Sequence, residues 1–162
     1  MKLGNYDEAE DLPYKVGCGG VVLRQATDGY EVLCLYRSQE QFGMRGDSYH
    51  LPKGTLELNE TLEQCALRET LEESGAECEA IAYIGAITSD LLARNQKYKI
   101  NYTRHFFIMR CIKQHDTHDA EHDSAKWLPV EQAKLEFAKL PKDEDKILQN
   151  ALDFVQQNQT QL

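Results

Sequence analysis

Several features are missing or scarce in this chain of 162 residues. No run of about 18 apolar residues occurs, which excludes a transmembrane helix. The N-terminal segment is acidic and has no apolar core, so we do not expect it to be a secretory signal. Cationic residues are few, because 18 Lys and Arg face 27 Asp and Glu and leave a net charge of −9. This balance argues against a membrane or a long nucleic acid as partner, since both require a basic surface.

The chain also lacks any CxxC pair. Its five cysteines are odd in number and scattered: Cys18, Cys34, Cys65, Cys78 and Cys111. This usage predicts reduced thiols that pack as small hydrophobic residues in a cytoplasmic protein, without disulfides or a cysteine zinc site. Three histidines between Lys113 and Ser124 would permit a zinc site, but a solvated polar loop is the simpler interpretation.

No internal repeat or composition break divides the chain. A hydrophobic content of 41% and a length of 162 residues are sufficient for one core. We predict a single domain over residues 15–156, a loosely ordered lead-in over 1–14 and a frayed tail over 157–162. A monomer or weak dimer is expected.

Residues Gly54–Ala76 carry the most informative charge pattern. Glu69, Glu72 and Glu73 share one face of a helix that Gly75 would end. Negative charge is disfavoured in the last turns of a helix, and Glu69 and Glu73 repel each other at i,i+4. A Glu-rich face is often only solvated. A divalent cation that takes hard oxygen ligands, Mg²⁺ or Mn²⁺, would offset the repulsion.

The spacing within this stretch supports the cation. Its fixed positions are Gly54, Glu60, Arg68, Glu69, Glu72, Glu73 and Gly75. They resemble the Nudix box, G-x5-E-x7-R-E-U-x-E-E-x-G-U, in which U is a bulky aliphatic residue. Every glycine, glutamate and arginine of the box has its counterpart. Only the two U positions differ, as Thr70 and Ala76.

The resemblance to the Nudix hydrolases implies a fold and a chemistry. The fold is an α/β/α sandwich with a mixed sheet. The activity is hydrolysis of a phosphoanhydride in a nucleoside diphosphate derivative, with two or more Mg²⁺ or Mn²⁺ ions. The metal ligands would be the three glutamates and the carbonyl of Gly54, and one glutamate would also take a proton from water. Arg68 would orient a neighbouring glutamate, and Glu60 would shape the loop.

The remaining elements follow from local patterns. Val16–Arg37 is expected to form a hairpin that turns at Thr27-Asp28-Gly29, with either close backbone approach or a bulge at the glycines of its first strand. Asn59 or Thr61 would cap the box helix. Leu67 and Leu71 lie opposite its carboxylates, which predicts a helix packed between two layers. Further strands are expected over 77–88, 106–112 and 127–129, and helices over 131–139 and from 143 onward.

A basic segment, residues 94–104, stands out in this acidic chain. It contains four cationic residues and no acidic one. Alternation places Lys97, Lys99 and Thr103 on one face of a strand and Tyr102 and Arg104 on the other. The lysines either protect a sheet edge or contact phosphate. The resemblance to the Nudix box favours phosphate.

Several segments outside the box resemble the asymmetrical diadenosine tetraphosphate hydrolases. They are the Leu-Pro-Lys-Gly entry, the Arg-Asn pair followed by lysines, and the interval from Glu121 to Trp127. This resemblance implies hydrolysis of diadenosine tetraphosphate to ATP and AMP. The residues it assigns to this reaction are Lys53 and either Lys97 or Lys99 on phosphate, Tyr98 or Tyr102 on the base, and Glu121 as a further metal ligand or base.

Other substrates and one other class of protein stay open. RNA 5′ triphosphate ends, nucleoside triphosphates and nucleotide sugars are the alternatives within the enzyme class. The alternative of another class is a nucleotide-sensing Nudix module that binds without cleaving.

Overall fold

The computed structural model describes residues 14–38, 47–92, 99–116 and 124–162, which form a sheet with helices on both faces. Its elements, in chain order, are β1 (Tyr14–Ala26), β2 (Gly29–Arg37), β3 (Ser48–His50), β4 (Lys53–Thr55), α1 (Leu62–Ser74), β5 (Ala76–Leu92), β6 (Lys99–Gln114), β7 (Ser124–Pro129), α2 (Val130–Ala138) and α3 (Glu144–Asn158). The predicted hairpin is confirmed as β1 and β2, with its turn at Thr27-Asp28.

The sheet is mixed, as predicted. Its main path runs β3-β2-β1-β6-β5, while β4 pairs with β1 and β7 pairs with β2. β1 and β6 are parallel, and the other described pairings are antiparallel. β1 divides one of its edges between β4, at Gly17–Gly19, and β2, at Leu23–Ala26. The centre of the sheet is therefore bonded directly to the strand that enters the Nudix-like box.

Alternation along the strands supplies two cores. On one face Cys18, Val22, Phe107 and Met109 pack with the buried residues of α1, Cys65 and Ala66. On the other face Val21, Leu23, Phe106 and Ile108 pack with residues of α2 and α3, including Phe137, Ile147, Leu148, Ala151 and Val155. The predicted α/β/α sandwich and the apolar face of the last helix are confirmed.

Two glycines of β1 allow close approach of the neighbouring backbone. A Cβ added at Gly19 would lie 2.4 Å from the carbonyl oxygen of Pro52. A Cβ at Gly17 would lie 2.4 Å from the Tyr102 hydroxyl and 2.9 Å from the carbonyl oxygen of Gly54. Neither gap admits a side chain. The predicted close approach is confirmed, and it fixes β4 at the position where the site is built.

The described part of the chain contains no helix long and apolar enough to cross a membrane. All five cysteines are free thiols. The predicted lead-in, apart from its last residue, and two of the three histidines considered for zinc, His118 and His122, lie outside the described residues.

Candidate active site

The box begins with β4 and a tight turn that leads into α1. Asn59 lies in this turn with a positive φ of 64°. Thr61 is the N-cap, since its hydroxyl accepts a hydrogen bond from the Gln64 amide and the Gln64 side chain accepts one from the Thr61 amide. This reciprocal pair is a capping box. Of the two candidate caps, Thr61 is therefore the one used, and Gly75, with a φ of 74°, ends the helix as predicted.

The packing of α1 differs from the sequence-based expectation. The helix packs on the sheet through one face, and Leu71, on the opposite face, is 40% exposed. The expected burial between two layers is wrong, because the carboxylate face itself points inward. Glu69 and Glu73 are only 3% and 7% exposed. Thr70, one of the departures from the box, is fully buried between them.

Arg68 is the centre of a carboxylate cluster. Its Nε and Nη2 donate to the two oxygens of Glu60 at 2.6 and 2.9 Å, which is the bidentate geometry preferred by a guanidinium and a carboxylate. Its Nη1 donates to Glu69 at 2.6 Å and to Glu72 at 3.3 Å. Nη2 also donates to the carbonyl oxygen of Thr55 at 3.0 Å. One side chain thus ties the turn after β4 to the middle of α1.

These contacts shift the ionisation of both partners. The hydrogen bonds that Arg68 donates to Glu60 raise the pKa of Arg68, and burial opposes them only in part. The hydrogen bonds from Arg68 lower the pKa of Glu60, helped by the Glu57 amide that donates to the same carboxylate at 3.0 Å. The ion pair therefore stays charged at neutral pH.

The two buried carboxylates lie against the backbone of β4. A Cβ added at Gly54 would come within 2.0 to 2.4 Å of the Glu69 carboxylate, so this position has room only for glycine. The Glu73 carboxylate accepts a hydrogen bond from the Lys53 amide at 2.9 Å. The predicted set of Gly54, Glu69 and Glu73 is thus brought together. Glu72, whose side chain is half exposed, lies at the solvent side of the same face.

The chemistry of this donor set fits a hard divalent cation. Carboxylate and backbone carbonyl oxygens are the ligands that Mg²⁺ takes. Four carboxylates lie within ion-pair distance of the single guanidinium of Arg68: Glu57, Glu60, Glu69 and Glu72. In the described part of the chain, however, no three acidic, His or Cys side chains converge closely enough to hold an ion as they stand. A bound cation would compete with Arg68 for the oxygens of Glu69 and Glu72.

Sequence reasoning missed a buried carboxylate from the other side of the sheet. Glu144, in the first turn of α3, is 2% exposed. Its Oε1 accepts a hydrogen bond from the Leu51 amide at 2.6 Å, and its Oε2 lies 3.3 Å from the ammonium of Lys53. Glu144 therefore holds the segment that carries Lys53 and Gly54. A leading acidic residue in a helix is usually a dipole contact, so the pattern gave no signal of this role.

Tyr102 is buried close to the box. Its hydroxyl and the Gly54 carbonyl oxygen both crowd the missing Cβ of Gly17. Burial raises the pKa of Tyr102, the Arg104 cation opposes this, and the negative charges of Glu73 and Glu69 add to it. Tyr102 is therefore a neutral hydroxyl beside the carboxylates. Its ring lies 4.9 Å from the Lys15 ammonium and 5.3 Å from the Arg104 guanidinium.

The other predicted site residues are not placed. Lys97, Tyr98 and Glu121 lie outside the described residues, and Lys99 is located only as the first residue of β6. Their assigned roles stay predictions. The predicted alternation is confirmed where β6 is described, since Tyr102 and Arg104 are buried and Asn101 is exposed.

Residues 13–151 match the family described as the NUDIX domain. That span covers most of the chain, which therefore belongs to the Nudix domain family. The chain is 34% identical over 83 residues to a protein of Mycobacterium tuberculosis (strain CDC 1551 / Oshkosh) named as a mutator protein, MutT4. This match covers 51% of the chain and 33% of the relative, so the chain spans about a third of that protein's length.

Two solved structures are similar in fold. The Nudix domain of Shewanella oneidensis NrtR, complexed with ADP ribose, superposes with a TM-score of 0.69 at 18% identity over 93% of this chain and 94% of that one. A binary complex of the C. elegans Ap4A hydrolase gives a TM-score of 0.64 at 20% identity over 88% of this chain and 98% of that one. Together with the family assignment, the fold supports the predicted enzyme class, a pyrophosphohydrolase.

Proposed function

We propose that this protein hydrolyses a phosphoanhydride bond in a dinucleoside polyphosphate with the help of Mg²⁺ or Mn²⁺. The observation that carries the proposal is the packing of two buried carboxylates, Glu69 and Glu73, against the backbone of Lys53-Gly54. Buried carboxylates in this number repel one another unless cations are close. Arg68 supplies one positive charge, and divalent ions would supply the rest.

Each residue of the site has a role in the proposal. Glu69, Glu72, Glu73 and the carbonyl of Gly54 would hold two or more ions, with Glu121 as a further ligand or base. Bound ions neutralise the charge that develops on phosphate oxygens and make water more acidic. In the reaction a bond forms between the water oxygen and phosphorus, the anhydride P–O bond breaks, and a carboxylate accepts the proton of the water. Arg68 holds Glu69 and Glu60 in place.

The substrate assignment depends on groups beside the carboxylates. Lys53 lies next to the metal ligands, where its ammonium would contact the polyphosphate. Lys97 or Lys99 would contact a second phosphate, and Tyr98 or Tyr102 would stack on the base. Of the two tyrosines, Tyr102 is buried, which favours a wall of the cleft over a freely accessible stacking platform. A cytoplasmic monomer or weak dimer completes the proposal.

One comparison supports an alternative substrate. The complex with ADP ribose makes nucleotide sugars the second candidate class, and nucleoside triphosphates are the third. RNA 5′ triphosphate ends are a further candidate, although the net charge of −9 disfavours a long RNA partner. A module that binds nucleotides without cleaving them would be expected to lack one or more of the box glutamates, and all of them are present here.

The decisive experiment is a substrate panel with product identification. Diadenosine tetraphosphate, nucleoside triphosphates, ADP-ribose and a 5′-triphosphorylated RNA are incubated with Mg²⁺ in ¹⁸O-labelled water, and the products are separated and weighed by mass spectrometry. We expect ATP and AMP from diadenosine tetraphosphate, with one ¹⁸O atom in one of them. Two molecules of ADP, or preferential turnover of another substrate, would refute the substrate assignment.

A pair of matched variants tests the site. Glu72→Gln removes a charge from the carboxylate face of α1, whereas Glu63→Gln removes one from an exposed position in the first turn of the same helix. We expect a large loss of turnover only from Glu72→Gln. Binding of nucleotide by the unmodified protein without any product would favour the non-catalytic module.

A further inference from the structure

A buried arginine on the α3 side of the sheet is not used by the proposed chemistry. Arg104 projects from β6 and is only 3% exposed. Within the described part of the chain, its Nε has no hydrogen-bond partner. Its Nη2 makes long contacts there, 3.3 Å to the Ser89 hydroxyl and 3.5 Å to the Lys142 carbonyl. Among the described residues no carboxylate pairs with it. A buried guanidinium without an anion is costly, so stability alone does not explain it.

Lys142 lies beside Arg104, and its ammonium is close enough to Lys53 for the two charges to interact. Lys142, just before α3, is partly buried, and burial together with the charge of Lys53 lowers its pKa to about 8. The charges of Arg37 and Arg104 add to this effect, and among the described residues only Glu144 opposes it. The ammonium of Lys142 is thus influenced by three other cations and by one carboxylate, that of Glu144. That carboxylate is already engaged by the Leu51 amide and by Lys53.

This group, the Arg104 pocket (Lys53, Arg104, Lys142 and Glu144), adjoins the candidate metal ligands. Lys53 belongs to both, because its ammonium contacts Glu144 while its amide donates to Glu73. Tyr102 is the second link. The Arg104 guanidinium lies over its ring at 5.3 Å, and its hydroxyl neighbours the Gly54 carbonyl. The cationic residues of the Arg104 pocket therefore lie directly beside the carboxylate cluster of the candidate metal site.

We propose that the Arg104 pocket binds a phosphate group of the substrate that lies beyond the scissile anhydride. The inference rests on the proposed function, and it assigns to Arg104 and Lys142 the selection of substrates with an extended phosphate chain. A phosphate dianion would provide the pocket with the acceptor that Arg104 Nε lacks. A planar guanidinium fork and two ammonium groups match tetrahedral phosphate oxygens well. Glu144 would position Lys53 between this phosphate and the one under attack.

The first test measures binding without catalysis. Inorganic tripolyphosphate is titrated calorimetrically, with EDTA present, into the unmodified protein and the variants Lys142→Met, Arg104→Lys and Lys146→Met. Lys146 is the matched control, because it lies four positions after Lys142 but its side chain is 72% exposed and pairs with Asp143. Removal of one charge-assisted contact should weaken binding about tenfold or more in Lys142→Met and Arg104→Lys. Lys146→Met should stay within about twofold. Equal weakening by Lys142→Met and Lys146→Met, or no binding by the unmodified protein, would overturn the proposal.

The second test separates the substrate's own phosphate from free phosphate. With the best substrate of the panel, Lys142→Met should raise KM about tenfold and change kcat by less than about threefold. An unchanged KM together with weakened binding of tripolyphosphate would show a site for free inorganic phosphates and overturn the assignment to substrate. If no substrate is hydrolysed while the tripolyphosphate result holds, the proposed function fails and the phosphate pocket stands.

Thermal melting of the ligand-free protein tests a purely structural role. Because the cations of the pocket repel one another, the melting temperature of the protein should not fall when one of them is removed. Lys142→Met and Arg104→Met should therefore melt at the same temperature as the unmodified protein or higher. A fall in both melting temperatures by several degrees would show that these cations stabilise the fold and would contradict the pocket. Lys142→Met keeps this test valid if Arg104→Met fails to fold.

Discussion

Replacing Arg68 with lysine tests whether guanidinium geometry, and not only positive charge, organises the site. The side chain of Arg68 is 21% exposed, and that of Glu60 is 12% exposed, so solvent screens their pairing only weakly. Lysine keeps the charge but has no planar fork. Its ammonium can retain one contact with Glu60 and one with Glu69, while the second contact with Glu60 and the bond to the Thr55 carbonyl are lost.

The expected loss follows from those two bonds. A hydrogen bond that involves a charged group contributes about 1.5 to 3 kcal/mol, so two bonds at the lower end of that range should cost about 3 kcal/mol in the free energy of unfolding. For a domain of this size that corresponds to a melting temperature about 6 to 12 °C lower. Because Arg68 also holds Glu69, we expect kcat to fall about 10- to 100-fold, which is typical when the partner of a metal ligand is removed.

Urea unfolding and steady-state kinetics measure the two effects, with Arg110→Lys as the control. Arg110 also pairs with a carboxylate, Glu79, but both side chains are close to half exposed. An exposed pair contributes about 1 kcal/mol at most, so the control should lose little stability and no activity. Equal losses in the two variants would show that burial and bidentate geometry do not matter here, and the reasoning about Arg68 would be wrong.

Three further predictions concern Glu144, Glu73 and Lys142. Glu144→Gln keeps an acceptor for the Leu51 amide but removes the charge beside Lys53, so the free energy of unfolding in urea should fall by about 2 kcal/mol and recover in part when tripolyphosphate is added. Glu73→Gln should lower kcat about a hundredfold or more and reduce the rise in melting temperature that Mn²⁺ causes in the unmodified protein, whereas an unchanged response to Mn²⁺ would contradict a role as ligand. Lys142, which faces Lys53, Glu144, Arg37 and Arg104, has a folded-state pKa of about 8 against 10.5 for the free side chain. Between these values the unfolded chain binds the extra proton, so the charged lysine destabilises the fold fully below about pH 8 and progressively less as the pH rises toward 10.5. The stability advantage of Lys142→Met should therefore be largest near pH 7 and shrink toward pH 10, and an advantage independent of pH would refute the assignment.

The box was readable from sequence because its constraints are local. The cap at Thr61, the glycine that ends α1 and the shared face of Glu69 and Glu73 all follow from contacts within about four residues along a helix. The mixed sheet was expected from the resemblance to the Nudix hydrolases and from strands predicted on both sides of the box. The position of α1 was not predicted, because Leu67 and Leu71 indicated burial of the side opposite the carboxylates and nothing indicated that the carboxylate face would be buried. Burial of Glu69 becomes understandable only when Gly54 is seen to leave room for its carboxylate.

The contacts of Glu144 and Arg104 could not be predicted from the sequence for a different reason. The hydrogen bond from Leu51 to Glu144 joins residues 93 positions apart, and the contact from Arg104 to Lys142 spans 38. Alternation placed Arg104 on the same face of β6 as Tyr102, and the fold shows that this face is buried. A cation is normally excluded from such a position unless an anion neutralises it. Its burial without a carboxylate partner among the described residues could be recognised only from the fold. The sheet brings β6, β4 and the start of α3 together at one edge of the candidate metal site. Charged residues that are far apart in the sequence therefore form one surface. It is acidic where cations would bind and basic where the phosphate chain would extend.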